Sequence, residues 1–331
     1  MTTDLDGTRP FDPWRCTLDD FKSADPAMLR CLDLARVAAG TDLPILILGE
    51  SGTGKSLLAR AIHNSSARAA RDFVSFNAAA LSDTLLDSQL FGHEKGAFTG
   101  ADRRVKGKFE LADGGTLFID EIADMSPVGQ AKILRAVEYG EFERLGSEKL
   151  QVADVRLVSA THWPLRRFID SNRFRMDLFY RIRGLTLTIP PLRDRPGDLR
   201  ALIAAEIVAA GRKQGKPVIG LDKQAANLLL GYPWPGNLRE LNRVMRSAVA
   251  LTREDVIPVE AIEMLLDSAE APQGEPAPPA ATRVELETDL TLESVERRHI
   301  REVLERVSGN KRRAARALGI SRSTLDRKLT P

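Results

Sequence analysis

The sequence contains a glycine-rich loop of the kind that binds phosphate groups. It reads Gly49-Glu50-Ser51-Gly52-Thr53-Gly54-Lys55-Ser56, which fits the pattern Gly-x-x-x-x-Gly-Lys-Ser. An apolar segment precedes it and a helical pattern follows, so backbone N–H groups can surround phosphates at a helix N-terminus. Lys55 supplies positive charge for the terminal phosphates, and the Ser56 hydroxyl can coordinate Mg²⁺. The loop predicts a site for a nucleoside triphosphate such as ATP.

A second apolar segment ends in two carboxylates, Asp120 and Glu121. Asp120 can hold the coordination shell of Mg²⁺, and Glu121 can act as the general base that activates a water molecule. Alone, such a segment is more often a strand that meets a solvated loop. Together with the phosphate loop, it predicts magnesium-dependent hydrolysis of the nucleotide.

The segments that carry these motifs alternate between strand and helix patterns. Apolar runs predict strands at Pro44–Leu48, Asp72–Asn77, Thr116–Asp120, Val155–Ala160 and Leu185–Ile189. Helical patterns lie between them at Lys55–Asn64, Leu81–Leu90 and Pro127–Tyr139. This alternation predicts an α/β fold with a mostly parallel sheet.

After Pro190 and Pro191 the pattern becomes entirely helical. Helices are predicted at Asp198–Ala210, Asp222–Leu230, Asn237–Leu251 and Val259–Leu265, which indicates a small helical subdomain. The spacing of Asn237 and Glu240 predicts a capping box at the third of these helices. One face of that helix is apolar and consists of Leu238, Leu241, Met245 and Ala248.

A proline-rich stretch separates the C-terminal region from the rest. Residues 267–282 hold four of the 18 prolines and no large apolar side chain, so they cannot bury enough surface to order themselves. Residues 291–331 carry 11 Lys and Arg against 5 Asp and Glu, whereas the other 290 residues carry 37 against 41. The excess of positive charge predicts that the C-terminal region binds a polyanion.

Two short helical patterns in this basic region, Lys311–Leu318 and Arg322–Leu329, are joined by the turn Gly319-Ile320-Ser321. This arrangement predicts a helix-turn-helix domain that binds DNA, although a solvated basic helix is the alternative. An apolar stripe before it, Ile300, Val303, Leu304 and Val307, predicts pairing of two subunits on a two-fold-symmetric site. The residues predicted to face the major groove are Arg322, Ser323, Thr324, Arg327 and Lys328, and those predicted to contact phosphates are Lys311, Arg312 and Arg313.

One further segment, Gly96-Ala97-Phe98-Thr99-Gly100-Ala101, is a polar loop with an aromatic residue between glycines. An exposed aromatic on such a loop indicates a protein contact, although a Phe tucked beneath its own loop is the commoner arrangement. With this GAFTGA sequence the chain resembles the bacterial enhancer-binding proteins, AAA+ activators of sigma-54 RNA polymerase. The resemblance implies that the loop grips sigma-54, with Phe98 and Thr99 at its tip.

The resemblance also implies a domain organisation. We expect a short N-terminal segment at residues 1–17, an AAA+ α/β subdomain of the P-loop NTPase class at residues 18–190 and a helical lid at residues 191–266. A linker at residues 267–289 and a separate all-α, Fis-type helix-turn-helix domain at residues 290–331 complete the expected chain.

Several single residues take roles from the resemblance. Asn77 matches the residue that restrains the catalytic Glu121, and Arg239 matches the lid arginine that senses nucleotide. Arg175 and Arg181 match the segment that supplies arginine fingers to a neighbouring subunit, where a guanidinium stabilises charge at the γ-phosphate.

One position departs from the family pattern. After Thr161 the family usually has Asn, whereas this chain has His162. We expect Thr161 to sense the γ-phosphate and His162 to be tolerated; if His162 takes part in sensing, coupling would be altered or dependent on pH.

The resemblance implies a hexameric ATPase, with ATP and Mg²⁺ as its ligands, that binds upstream enhancer DNA and remodels the closed complex of sigma-54 RNA polymerase into the open complex. The alternative is a DNA-binding repressor or scaffold that uses nucleotide only as an assembly switch. Intact Lys55, Asp120 and Glu121 and the unbroken GAFTGA loop argue against it. A protein-unfolding AAA+ ring is a weaker alternative, because it leaves the basic C-terminal region unexplained.

Composition sets outer limits on these interpretations. A chain of 331 residues with 43% hydrophobic and 28% charged residues is neither disordered throughout nor collagen-like. The longest apolar stretch is too short to cross a membrane, the N-terminus lacks a secretory pattern, and Cys16 and Cys31 are expected to be free thiols, so we expect a cytoplasmic protein. Only 48 residues precede Gly49, so we expect no N-terminal sensory domain of usual size, and control either by a separate protein acting in trans or by expression level.

Overall fold

Five parallel strands form the central sheet. The computed structural model describes residues 12–79, 82–218, 220–267, 310–318, 320–321 and 324–325. The five strands are β1 (Ile45–Leu48), β2 (Phe73–Asn77), β5 (Thr116–Asp120), β8 (Arg156–Thr161) and β9 (Leu185–Thr188). Their order is β2-β5-β8-β1-β9. The register pairs Asn77 with Asp120 and Leu48 with Thr161. The carboxyl ends of four strands therefore meet at one edge of the sheet, where open parallel sheets bind ligands.

Eleven helices surround and follow the sheet within the described residues 12–267. They are α1 (Pro26–Ala39), α2 (Lys55–Asn64), α3 (Asp83–Phe91), α4 (Lys108–Leu111), α5 (Pro127–Tyr139), α6 (Leu165–Asp170), α7 (Met176–Ile182), α8 (Pro196–Gln214), α9 (Lys223–Gly231), α10 (Asn237–Leu251) and α11 (Val259–Asp267). Short 3₁₀ turns lie at Leu18–Asp20, Ile122–Asp124 and Leu192–Asp194. The helix predicted at Leu81–Leu90 corresponds to α3, and its predicted first residue, Leu81, lies outside the described residues.

Three pairs of short strands lie outside the central sheet. The antiparallel pairs are β3 (Gly92–His93) with β4 (Val105–Lys106), and β6 (Glu141–Glu143) with β7 (Leu150–Val152). The parallel pair is β10 (Gly220–Leu221) with β11 (Val256–Ile257). The first pair brackets the GAFTGA sequence, because β3 ends before it and β4 begins after it.

Both faces of the sheet are buried, which explains why its strands are continuous apolar runs. Along β5, Leu117 and Ile119 belong to the apolar cluster beneath α3 to α7, whereas Phe118 belongs to the cluster beneath α1 and α2. Cys16 and Cys31 are buried free thiols in the second cluster. Burial by helices on both faces gives the sheet a fixed position beneath the site.

A separate apolar cluster forms the helical subdomain, α8 to α11, which we call the lid. Trp234 is its largest fully buried side chain, and its indole Nε1 donates a hydrogen bond to the carbonyl of Leu229 at 3.0 Å. Leu241, Met245 and Ala248 of α10 are wholly buried in this cluster and Leu238 is partly buried, as the apolar face of that helix predicted. The lid therefore has a core of its own.

The chain divides into two compact units, Met1–Pro272 and Gln273–Pro331. In the second unit the helix Lys311–Ala317 is described, with Ala314, Ala315 and Leu325 buried together. No helix in the described part of the chain is long and apolar enough to cross a membrane.

Candidate functional site

The glycine-rich loop joins the end of β1 to the start of α2, as the motif predicts. Gly54 precedes α2 with a φ of 102°, a left-handed conformation that favours glycine. Lys55 is almost fully buried, and its Nζ donates to the carbonyls of Gly49 at 2.9 Å and Glu50 at 3.3 Å. The loop thus has the curled form in which backbone N–H groups and one ammonium face the same space.

The two carboxylates lie beside this loop at the end of β5. Asp120 Oδ2 accepts a hydrogen bond from Ser56 Oγ at 3.3 Å. Burial and the charge of Glu121 raise the pKa of Asp120, with Lys55 opposing them. Carboxylate and hydroxyl oxygens of this kind suit Mg²⁺.

Glu121 is held from two sides in an unusual backbone conformation. Its φ of 53° and ψ of 48° are left-handed, which is uncommon for a residue with a side chain. Oε1 lies 3.5 Å from Lys55 Nζ, whereas Oε2 lies 2.8 Å from the ring Nδ1 of His162 and accepts from its backbone N–H at 3.2 Å. The carboxylate of the predicted general base is therefore fixed by β8 and by the phosphate loop.

The contacts around Glu121 include some that the sequence did not predict, whereas the roles of Asn77 and Thr161 toward the nucleotide stay predictions. Asn77 ends β2 beside Asp120, but its Oδ1 accepts from the backbone N–H of Ala79 at 2.8 Å and makes no hydrogen bond to Glu121. Thr161 is wholly buried, and its Oγ1 accepts from Trp163 N–H at 3.1 Å. His162, expected to be merely tolerated, is the residue that contacts the carboxylate.

The lid contacts the glycine-rich loop through the start of α10. Arg239 Nη1 donates to Ser51 Oγ at 2.9 Å, and Leu238 N–H donates to the carbonyl of Gly52 at 3.0 Å. Arg239, matched to a nucleotide-sensing arginine, therefore lies at the loop. The lid and the loop form one continuous site.

The predicted capping box at this helix is wrong. Gly236 is the N-cap, and its N–H donates to Glu240 Oε2 at 2.8 Å. Asn237 has a φ of 50° and is fully buried, and its side-chain amide contacts Glu50, Ser51 and Leu192 instead of capping the helix. Asparagine tolerates this left-handed conformation better than most residues, which allows the side chain to face the loop.

A cavity of about 300 Å³ lies next to the loop, between the N-terminal segment and the lid. Its walls are mainly apolar and include Phe21, Met28, Leu57, Leu202 and Leu238. Apolar walls with a few polar groups are typical of pockets for small ligands, and this one has the position and character required for a nucleobase. Apart from Thr53 and Gly54 of the glycine-rich loop, its residues come from distant segments with no shared motif, so the sequence did not predict them as part of the site.

A buried carboxylate joins the two sides of this cavity. Asp198 Oδ2 accepts from Ser23 Oγ at 2.6 Å, and Oδ1 accepts from Ala24 N–H at 2.7 Å. Arg195 Nε lies 3.6 Å from Oδ2, and both side chains are less than a tenth exposed. The lid is thereby attached to the N-terminal segment as well as to the glycine-rich loop.

The two arginines matched to arginine fingers lie around α7, where they contact α5 and α7. Arg175 precedes α7 and pairs with Asp177 at 2.7 Å. Arg181 Nη2 donates to the carbonyls of Val137 at 3.3 Å and Glu138 at 3.1 Å. The role of both arginines toward the nucleotide of a neighbouring subunit stays a prediction.

The GAFTGA loop turns at Gly96 and Gly100, whose φ values are 83° and 96°. Thr99 is exposed, but Phe98 is half-buried, with its ring edge against the ring of His93 at a centroid distance of 5.0 Å. The expectation of an exposed Phe is therefore corrected, because His93 provides an apolar surface at the base of the loop. Gly96 N–H donates to the carbonyl of Ala101 at 2.8 Å and closes the loop.

Arg144, which sequence reasoning missed, fixes the base of this loop. It is 6% exposed, and its guanidinium donates to Glu94 at 2.9 Å, to Glu110 and to Gln151 at 3.3 Å. Glu94 immediately precedes the loop, and Gln151 lies in the β6–β7 hairpin. No local pattern marks Arg144, because its partners are distant in sequence.

The described part of the basic C-terminal region includes two capped turns. Asn310 Oδ1 accepts from Arg313 N–H at 3.2 Å, and Ser321 Oγ accepts from Thr324 N–H at 3.1 Å. Lys311 and Arg313 are exposed and Thr324 is half-buried. Of the other predicted DNA contacts, Arg322, Ser323, Arg327 and Lys328 and the side chain of Arg312 lie outside the described residues.

Comparisons with known proteins agree with this organisation. Three family models match: the sigma-54 interaction domain over residues 21–188, the AAA+ ATPase lid domain over residues 193–278 and the bacterial regulatory protein, Fis family, over residues 291–330. The transcriptional regulatory protein ZraR of Klebsiella oxytoca is 44% identical over 92% of this chain and 67% of its own length. The hydrogenase transcriptional regulatory protein HoxA of Cupriavidus necator is 44% identical over 90% of this chain and 62% of its own length.

Among solved structures, NtrX from Brucella abortus in complex with ATP matches with a TM-score of 0.67 and 32% identity, over 93% of this chain and 68% of that one. The chain thus spans about two thirds of the length of these relatives. The matches confirm the AAA+ fold with a helical lid and a Fis-type helix-turn-helix domain. The chain belongs to the family of sigma-54-dependent AAA+ transcriptional regulators.

Proposed function

We propose that this chain hydrolyses ATP to ADP and phosphate in the presence of Mg²⁺ and uses the reaction to remodel the sigma-54 RNA polymerase closed complex into the open complex. The observation that carries the proposal is the convergence of Lys55, Ser56, Asp120 and Glu121 at one sheet edge, beside a cavity sized for a nucleobase. A switch that only bound nucleotide would not require a carboxylate fixed like that of Glu121.

The residues present fit a magnesium ion. Asp120 is a half-buried carboxylate whose raised pKa reflects the cost of charge at this place, and a cation there would lower that cost. Among the described residues, no group of three or more His, Cys, Asp or Glu could hold a metal ion alone. Ser56 and Asp120 would therefore bind the ion together with phosphate oxygens and water, as Mg²⁺ sites commonly do. When bound, the ion neutralises charge on the β- and γ-phosphates.

The chain's own residues supply the remaining parts of the reaction. Lys55 exchanges its carbonyl contacts for phosphate oxygens, and Glu121 accepts a proton from the attacking water. Arg239 exchanges Ser51 for a phosphate and so reports the bound nucleotide to the lid. Arg175 and Arg181 act on the γ-phosphate of a neighbouring subunit, so that the working form is a ring, which the family resemblance implies is a hexamer.

The GAFTGA loop is the proposed contact with sigma-54. Thr99 is exposed at a loop whose glycines have open space around them, while Arg144 fixes the loop base to the β6–β7 hairpin. An exposed tip on a fixed base suits a part that changes position with the nucleotide. Phe98 would leave His93 to reach its partner.

The basic C-terminal unit is the proposed contact with enhancer DNA, and a two-fold-symmetric site is expected. Exposed Lys311 and Arg313 beside a buried Ala and Leu core support phosphate contacts from one face. This tethers the ATPase near its promoter.

Phosphate release measured across protein concentrations tests the proposal. Turnover per subunit that rises with concentration indicates a ring enzyme with shared sites, whereas nucleotide binding without turnover indicates the scaffold alternative. Glu121→Gln should bind ATP and not turn over. Thr99→Ala should hydrolyse ATP and fail to form open complexes; undiminished open-complex formation by either variant contradicts the assigned roles.

A further inference from the structure

The second residue of the glycine-rich loop is a glutamate, although the loop is proposed to bind a polyanion. A carboxylate in this place opposes phosphate binding unless a cation offsets its charge. Arg193, at the start of the lid, offsets it with two parallel hydrogen bonds, Nη1 to Oε2 at 2.8 Å and Nη2 to Oε1 at 2.6 Å. These bonds hold the pKa of Glu50 below its usual range. Glu50 is thus directed to the lid.

Asn237 makes a second connection to the same carboxylate. Its Nδ2 donates to Glu50 Oε2 at 3.2 Å and to the carbonyl of Ser51 at 3.1 Å. Its Oδ1 accepts from the N–H of Leu192, next to Arg193, at 2.8 Å. One fully buried amide therefore joins the glycine-rich loop, the entry to the lid and helix α10.

The backbone of the loop touches the lid as closely as the side chains do. A Cβ on Gly52 would lie 2.3 Å from the carbonyl oxygen of Gly236. With Leu238 N–H bonded to Gly52, residues 50, 51 and 52 each contact the lid. The loop cannot change its path without movement of the lid, and the reverse also holds.

We propose that Glu50, Arg193 and Asn237, which we name the lid clasp, are positioning residues that make closure of the lid depend on the conformation of the phosphate loop. The inference rests on the proposed function and specifies how that site is regulated. Through the lid clasp, a nucleotide that orders the loop also orders the lid. The lid carries Arg239 and one wall of the cavity proposed for the nucleobase. Glu50 thereby increases affinity for a whole nucleotide although its charge opposes phosphate.

The substitution Glu50→Gln separates these two effects by their sign. If the carboxylate acted only through its charge, its loss would tighten binding of every phosphate compound. The lid clasp predicts the opposite for a nucleotide, because the charge-assisted pair with Arg193 is replaced by weaker neutral hydrogen bonds. We expect the Kd of a fluorescent ADP derivative to rise roughly fivefold. Inorganic tripolyphosphate, which has no base to contact the lid, should bind as tightly as to the wild type or more tightly.

A double-mutant cycle provides the second measurement. Arg193→Gln should weaken ADP binding, and the double variant Glu50→Gln, Arg193→Gln should bind no more weakly than Arg193→Gln alone. The matched control is the exposed pair Asp33 and Arg36 on α1, 2.8 Å apart, whose double variant D33N/R36Q should leave both affinities unchanged. Thermal unfolding of each variant reports whether it remains folded; Glu50 and Arg193 are both part-exposed.

Five other outcomes count against the lid clasp, the proposed function or both. If Glu50→Gln binds ADP as tightly as the wild type or more tightly, or if the double variant is additive, the lid clasp is wrong. If tripolyphosphate affinity falls with ADP affinity, Glu50 only maintains the loop and the lid clasp is again wrong. If the wild type binds ADP but hydrolyses no ATP, the proposed function fails while the lid clasp stands or falls on the affinities; a wild type that binds no ADP overturns both.

Discussion

Glycine at position 52 is not required by the general phosphate-loop pattern, yet the structure predicts that Gly52→Ala abolishes most activity. Gly52 has a φ of 80°, and an added Cβ would lie 2.3 Å from the carbonyl oxygen of Gly236 and 3.2 Å from Arg239 Cβ. The first of these atoms belongs to backbone that the lid core holds in place. Relief therefore requires the loop and lid to separate.

The substitution has three consequences, and the displacement of the loop sets the size of the loss in kcat/KM. The left-handed backbone costs about 1–2 kcal/mol for any residue with a Cβ. To relieve the 2.3 Å contact, the loop must move by about 1 Å, and a displacement of that size near reacting groups costs about 100-fold in rate. The hydrogen bond from Leu238 N–H to Gly52 is lost in the same movement. We therefore expect kcat/KM for ATP to fall about 100-fold.

The control for backbone strain is Gly215→Ala, at the C-terminus of α8 in the lid. Gly215 has a φ of 64°, but nothing lies within 4 Å of its added Cβ. This variant should lose about 1–2 kcal/mol of stability through the left-handed backbone alone, and so unfold at a lower temperature, while it keeps the wild-type kcat/KM. Steady-state phosphate release and thermal unfolding of both variants suffice. If Gly52→Ala hydrolyses ATP as fast as Gly215→Ala does, the contact between loop and lid does not control the site.

Three further substitutions or treatments test other parts of the molecule. In steady-state kinetics, His162→Ala should lower kcat about tenfold with little change in KM, because the proposed general base Glu121 loses a charge-assisted hydrogen bond. His162→Asn should restore most of the rate, since an amide can donate the same bond. Equal rates in the wild type and both variants would contradict this role. Asp198→Ala should reduce the free energy of unfolding by about 3–5 kcal/mol in urea titrations, because Arg195 is left buried and unpaired; a loss below that of Asp33→Ala would contradict it. Burial raises the pKa of the Cys16 and Cys31 thiols to about 11. Iodoacetamide labelling, measured by mass spectrometry, should therefore be slow in the folded protein until the pH approaches that value, and rapid in urea at pH 9. Fast labelling of the folded protein would show that the two thiols are accessible.

The sequence predicted the sheet and its helices closely because their signal is local. Every strand of the sheet lies within one residue of its predicted ends, since a strand buried on both faces is a short apolar run between turns. The glycine-rich loop and the Asp120-Glu121 pair were also predicted from local signals, because each directly follows or ends an apolar run. Parallel strands bring their carboxyl ends together whatever the intervening sequence, so the motifs had to meet.

The contacts that join distant segments were not predictable in this way. Glu50 and Arg193 are 143 positions apart, and neither pattern nor spacing relates them. Asn237 has the spacing of a capping residue, but the φ of 50° that turns its side chain toward the loop depends on the packing of the lid around Trp234. The cavity proposed for the nucleobase has the same origin, because four separate segments form its walls.

The surroundings of Glu121 show why a family motif transfers position more readily than contact. Register alone places Asn77 beside Asp120, one residue before Glu121, but which side chain holds the carboxylate of Glu121 depends on where that carboxylate points. The left-handed backbone of Glu121 is stabilised by its own N–H, which donates to Asp120 Oδ1 at 3.1 Å. That conformation directs the side chain toward β8 and Lys55, away from β2, and His162 is the donor it meets. A residue in a strained backbone conformation persists only where its neighbours hold it there. Glu121 is held by Asp120 at the end of β5, by His162 after β8 and by Lys55 of the glycine-rich loop. The choice of His or Asn after Thr161 therefore bears directly on the carboxylate that is proposed as the general base.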